Sequence, residues 1–109
     1  MKQELRKIGV EILEEKGGCF VFLVPEFNRA RFSLKKSNGQ WVISDEGYAY
    51  LALASKGYNI EAIEKILSDS FLRIHFRDRD GELMFPVDGN LKQSLQEFVY
   101  DLKQVINNA

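Results

Sequence analysis

The chain has few of the residues that most enzymes and metal centres use. Its 109 residues include one cysteine, Cys19, and one histidine, His75. A structural zinc site takes four Cys or His ligands and a disulfide takes two cysteines, so the chain cannot form either by itself. His75 lies between Arg73 and Arg77 at two-residue spacing, with no carboxylate in that stretch to orient it as a triad requires. We therefore expect no catalytic residue, no metal and no cofactor.

Glycine-rich phosphate loops, long apolar runs and prolines are also scarce. No GxGxxG or Walker pattern occurs. The longest apolar run, residues 19–25, is far shorter than the roughly 20 residues of a membrane-spanning helix. Two prolines and a hydrophobic share of 45 % argue against disorder. Fifteen Lys and Arg balance sixteen Asp and Glu, so the chain has no overall cationic excess for nucleic acid or anionic lipid. We expect a cytoplasmic protein, not bound to a membrane.

The spacing of apolar residues predicts an α+β fold. Leu5, Ile8 and Ile12 fall on one stripe of a helix, which the Gly17-Gly18 pair would end. Later segments alternate in two-residue or helical periods and are separated by turn signals, of which Asn38-Gly39 is typical of a hairpin. The predicted order is helix, strand, strand, strand, helix, helix, strand, strand, helix, over 5–16, 19–24, 29–35, 40–43, 45–56, 59–67, 71–77, 83–87 and 91–106.

These elements predict one domain over residues 1–109, with a single antiparallel sheet of about five strands and helices on one face. Such an arrangement leaves the second face either in water or covered by a second copy of the chain. A homodimer is therefore one expected state.

Positive charge is concentrated on two of the predicted strands. In each strand the basic residues alternate with apolar ones, so they share one face. If both faces point the same way, they form a basic surface on a nearly neutral molecule, suited to an acidic protein partner or to phosphates. The alternative is an ordinary solvated sheet face. The candidate binding residues are Arg29, Arg31, Lys35, Arg73, His75 and Arg77.

A second pattern lies where the third strand meets the following helix. Asp45 and Glu46 suit helix capping and the helix dipole, while paired carboxylates are also used in general acid–base catalysis. Residues 42–47 read Val-Ile-Ser-Asp-Glu-Gly, and Gly81-Glu82-Leu83 opens a late strand before the terminal amphipathic helix. In these features the chain resembles a small bacterial and phage domain family of unknown function.

In that family a strand runs into Thr-Asp-Asp/Glu-Gly before a helix, and this chain has Ser44 at the threonine position. The resemblance implies an origin in a phage or mobile element and transfers no catalytic residue. Asp45 and Gly47 are its signature positions, which a helix cap followed by a close-packing glycine would explain. The order of elements is also similar to that of the dimeric chaperones of type III secretion effectors.

Three functions follow from these patterns. The first is a non-enzymatic protein-interaction module; as the resemblance implies, a phage-encoded inhibitor of a host defence protein would fit it. The second is a dimeric chaperone-like binder of an unfolded segment. The third is a nucleic-acid-binding protein that uses the basic sheet face, which the net charge of −1 disfavours.

Overall fold

Four α-helices and six β-strands make up the described part of a computed structural model of the chain, which covers residues 1–69, 75–77 and 81–109. A short 3-10 turn at Pro25–Phe27 joins the second and third strands. The elements are α1 Lys2–Ile8, β1 Ile12–Lys16, β2 Cys19–Val24, β3 Ala30–Ser37, β4 Gln40–Ser44, α2 Tyr48–Ser55, α3 Ile60–Ser68, β5 His75–Arg77, β6 Glu82–Pro86 and α4 Leu91–Asn107.

All six strands belong to one sheet in the order β1-β2-β3-β4-β6-β5, and every neighbouring pair is antiparallel. The predicted fold class, α+β with a single antiparallel sheet, is confirmed. The helix caps assigned to two asparagines are also present: Asn59 accepts the Ala62 amide at 2.9 Å and Asn90 accepts the Gln93 amide at 3.0 Å.

The N-terminal segment differs from the prediction, because the first helix ends at Ile8 and the chain then adds a strand. Gly9 takes a left-handed conformation with φ 89° and ends α1. Gly17 and Gly18 have φ values of 59° and 79°, so the pair forms a hairpin turn between β1 and β2 instead of ending a helix. Ile8 and Ile12 are spaced as on one helix, although α1 ends between them at Gly9.

The main core lies between the helices and one face of the sheet. Phe22, Phe32, Ile43 and Phe85 supply that face, and all four side chains are buried. From the helical layer, Phe98 of α4 packs with ring centroids 5.7 Å from Phe32 and 5.4 Å from Phe85. Alternation along each strand therefore directs the large apolar residues to the helices.

The second face of the sheet is not an open polar surface at its centre. Ser33 shares this face with Arg31 and Lys35, yet it is fully buried and lies opposite Val21 and Ser44 on the neighbouring strands. The other buried residues of this face are Leu23, Val42, Ser44, Glu82 and Met84.

None of the helices in the described ranges has the length and apolar content needed to cross a bilayer. The predicted strand over 71–77 is seen only as β5; residues 71–74 and the turn residues 78–80 lie outside the described ranges.

Replacement of Phe98 by alanine tests the position of the core. Because this side chain is fully buried between two other rings, Phe98→Ala should lower the free energy of unfolding by about 3–5 kcal/mol in urea denaturation. Tyr100, two residues later on the same helix and 63 % exposed, is the control. Tyr100→Ala should change the free energy of unfolding by less than about 0.5 kcal/mol. Equal losses in both variants would contradict the packing described here.

Candidate functional site

Asp45 joins three elements of the fold through its carboxylate. The amides of Gly47 and Leu83 each donate to Oδ1 at 2.9 Å, and the amide of Ala49 donates to Oδ2 at 2.9 Å. The Asp45 amide in turn donates to the Leu83 carbonyl at 3.1 Å. The carboxylate therefore serves the first turn of α2 and extends the β4–β6 pairing beyond the last residue of β4. The helix-capping role predicted for Asp45 has this geometry.

The environment of this carboxyl is dry. Asp45 is fully buried. Burial raises its pKa from 3.8 to about 6 because the charged form loses hydration; the three backbone donors lower the pKa in part, and the nearby Glu82 raises it further. A carboxyl with such a pKa is a candidate for proton transfer, but its oxygens are occupied by backbone amides and it has no contact with solvent.

Glu82 gathers a second group of polar side chains beside Asp45. It is 5 % exposed, and its Oε1 accepts hydrogen bonds from the Ser44 hydroxyl and from the Lys35 ammonium. The Ser44 hydroxyl also accepts the Glu46 amide at 3.0 Å. A buried carboxylate is stable only when it is paired and hydrogen-bonded, which these two donors achieve. The group ties β3, β4 and β6 together across the second face of the sheet.

Ser33 lies next to this group without taking part in it. Its hydroxyl oxygen is buried and has no hydrogen-bond partner among residues 1–69, 75–77 and 81–109, although Ser44 is directly opposite in the register. An unsatisfied buried hydroxyl costs free energy. The group around Glu82 consists of a paired acid, a paired amine and a bonded hydroxyl.

The residues of the expected basic surface differ in their position in the sheet and in their ion pairing. Arg31 and Lys35 share the second face of the sheet, as predicted, but Lys35 is paired with Glu82. Arg29 lies before β3 with a left-handed φ of 63°, and its guanidinium is 3.6 Å from a carboxylate oxygen of Glu11. Among the described residues only Arg31 of these three holds no ion pair.

The other half of that surface can be placed only through the backbone. The register pairs His75 with Met84 and Arg77 with Glu82, which puts positions 75 and 77 on the same face as positions 31 and 35. The side chains of His75 and Arg77, and the whole of Arg73, lie outside what the structure describes. Their role in binding stays a prediction.

An exposed apolar surface lies on the helical side of the molecule. Helix α2 carries no charged residue along its eight positions, and its outward stripe consists of Leu51, Ala54 and Ser55. Leu51 is 68 % exposed, and Ile60 at the start of the adjacent α3 is 64 % exposed. We call the outward residues of α2 and α3 together the α2–α3 surface. The charge-free segment 48–55 was visible in the sequence, but its exposure depends on which side the core occupies.

Helix α2 is also anchored to β6 by close packing. Gly81 has φ 63°, and a Cβ added there would lie 3.2 Å from the ring of Tyr50. Lys56, after the last turn of α2, donates to the carbonyl of Ile106 near the end of α4. Both ends of α2 are thus attached to the scaffold, and its outward stripe is presented on a fixed support.

Within residues 1–69, 75–77 and 81–109 no group of three or more His, Cys, Asp or Glu residues is placed to hold a metal ion. Comparisons of the chain with protein-family models, curated proteins and solved structures found no match. The resemblance carried by residues 42–47 and 81–83 therefore stays a prediction, and the function must be argued from the geometry of this chain.

Titration of Asp45 should leave a signature in the pH dependence of stability. Its folded pKa of about 6 exceeds the unfolded value of 3.8, so the folded state binds more protons between these values. Its contribution is complete below pH 3.8 and lost above pH 6, which lowers the free energy of unfolding by about 3 kcal/mol across this window. Urea denaturation from pH 3.5 to 7 measures it.

Two variants isolate this contribution. Asp45→Asn removes the titrating group, so the decrease between pH 4 and 6 should be absent from the profile of the variant and should appear in the difference between wild type and variant. Asp88→Asn changes an exposed carboxyl and should keep the wild-type profile. An unchanged profile in Asp45→Asn would contradict the assignment.

Gly47 tests why this position is a glycine. It has φ 82° and directs its amide to Asp45 Oδ1, so backbone conformation accounts for it. Gly47→Ala should lower the free energy of unfolding by about 1–2 kcal/mol, and Gly47→Asn by less, since asparagine tolerates the left-handed region. If both variants are as stable as wild type in urea denaturation, the conformational explanation is wrong.

Proposed function

We propose that this chain is a non-enzymatic protein-interaction module that binds its partner through the α2–α3 surface. The observation that carries the proposal is the exposed, charge-free stripe of α2 next to exposed Ile60. Single exposed apolar residues are common on proteins. Here Leu51 lies on a helix without charges, and Ile60 begins the helix that contacts it. Exposed apolar patches of this kind mark interaction sites.

Several polar side chains of the sheet support the same proposal, because they are hydrogen-bonded or ion-paired to other residues of the fold. Asp45 and Glu82 are buried and hydrogen-bonded to the scaffold, which leaves them no reacting partner. Arg29 and Lys35 are paired with acids, so the described part of the basic surface has less unpaired positive charge than the sequence predicts. Nucleic-acid binding through this face is accordingly less well supported than protein binding.

The biological setting remains part of the proposal. A cytoplasmic location and an origin in a phage or mobile element rest on composition and on the resemblance of residues 42–47 and 81–83. Inhibition of a host defence protein would suit a small binding module of this kind. A chaperone-like role would require an unfolded segment as partner and a dimer, for which the α2–α3 surface is too small.

Affinity capture from cells that carry the gene tests the proposal. Immobilised wild-type chain should retain a specific protein, identified by mass spectrometry, and Leu51→Gln combined with Ile60→Gln should reduce its recovery by about tenfold or more. Both side chains are more than 60 % exposed, so the fold should survive the change, which urea denaturation verifies.

Tyr100→Gln is the matched control, because it alters an equally exposed large residue on another helix. This variant should capture the partner as wild type does. Identical capture by wild type and the Leu51/Ile60 variant would overturn the assignment of the surface, and the absence of any specific partner would overturn the proposed function.

A further inference from the structure

We infer that the partner segment bound by the α2–α3 surface is a cationic amphipathic helix. The inference rests on the proposed function and adds the chemistry of the partner. It follows from the distribution of charge next to the apolar stripe and from the size of the surface.

The outward side of α3 carries two exposed glutamates and one exposed lysine, Lys65. Ile60, Glu61 and Glu64 lie on one exposed stripe, because positions 60 and 64 are one turn apart and 61 lies beside them. Neither glutamate makes an ion pair within the described part of the chain. The buried side of α3, with Ile63 and Leu67, faces the core. A ligand that covers Ile60 therefore meets two free carboxylates.

The segment around the surface has a net negative charge. Residues 46–69 contain four acids, all exposed, and two lysines, of which Lys56 is bonded to the Ile106 carbonyl. The surface thus pairs an uncharged helix with one of net negative charge. A partner with apolar residues on one side and Lys or Arg beside them is complementary to both.

The size of the surface favours a short helix over a second copy of the chain. Helices of eight and nine residues are about 12–14 Å long, so two side by side present on the order of 300 Å². A stable dimer buries about 800 Å² per partner. Self-association through this surface would also bring the two acidic stripes together. A single cationic amphipathic helix laid across α2 and α3 needs no larger area and meets a surface of net negative charge.

Three synthetic peptides of about 18 residues, a length that permits helix formation, provide the test. One has a Leu/Ala face flanked by Lys and Arg; the second keeps that face and replaces the cations by Glu; the third is a scrambled cationic sequence without an apolar face. Fluorescence anisotropy with the full chain measures their Kd values, and amide chemical shifts locate the bound peptide.

The cationic amphipathic peptide should bind at least about tenfold more tightly than the other two. Its chemical-shift changes should map to residues 48–68. Glu61→Gln combined with Glu64→Gln should weaken binding of the cationic amphipathic peptide and should not make its salt dependence steeper. Leu51→Gln should weaken binding of every peptide that has an apolar face. Tyr100→Gln should leave the Kd unchanged.

Several results would overturn the inference. These are equal binding of the acidic peptide, shifts that map away from α2 and α3, no binding by the cationic peptide, or a concentration-dependent dimer abolished by Leu51→Gln. If the cationic peptide fails while capture of a cellular protein still depends on Leu51 and Ile60, the inference falls and the proposed function stands. If that capture is also absent, both fall.

Discussion

The carboxylate of Asp45 is the interaction on which the arrangement of the molecule depends. It accepts amides from the turn, from the first turn of α2 and from β6, so one side chain sets where the strand ends, where the helix begins and how the late strand is aligned. Removing it would leave three donors without partners in a dry place, which is costly. The position of α2, and with it the exposed stripe of Leu51, follows from this contact.

Glu82 shows the same principle on the other face of the sheet. A buried acid in a strand is unfavourable unless its partners come from neighbouring strands, and here Ser44 and Lys35 supply them. Such pairing favours one register of β3, β4 and β6, because a shift by one residue would move Glu82 to the apolar side. Polar residues of this protein thus specify alignment, while the apolar side chains of α2 remain available for contact.

Much of the fold could be predicted from local patterns. The strand patterns in 29–35 and 40–43, the Asn38-Gly39 turn, the asparagine caps and the long stripe of α4 are local signals that agree with the tertiary structure to within two residues at the strand ends. The hairpin at Gly17-Gly18 was misread because a glycine pair can end a helix or form a turn. The pairing of residues 12–16 with β2 decides between the two outcomes, and this pairing lies outside the apolar period of Leu5, Ile8 and Ile12.

The candidate site was less accessible to the same reasoning. Asp45 was recognised as a helix cap. Its hydrogen bond with the Leu83 amide joins residues 38 positions apart, and no local sequence pattern predicts such a contact. The pairing of Lys35 with Glu82 likewise lowers the free positive charge of the basic surface that strand alternation had suggested. Exposure of Leu51 required knowledge of which side of α2 meets the core, since the helix is apolar all round.

The first strand has a consequence for how the molecule behaves at high concentration. Strand β1 forms an outer edge of the sheet, where backbone groups could template the addition of foreign strands. Its pairing is irregular between Ile12 and Glu14, and three successive charged residues, Glu14 to Lys16, end it. A kinked and charged border of this sort resists amyloid-like stacking. The chain can therefore expose an apolar helix while the β1 edge of its sheet resists the addition of foreign strands.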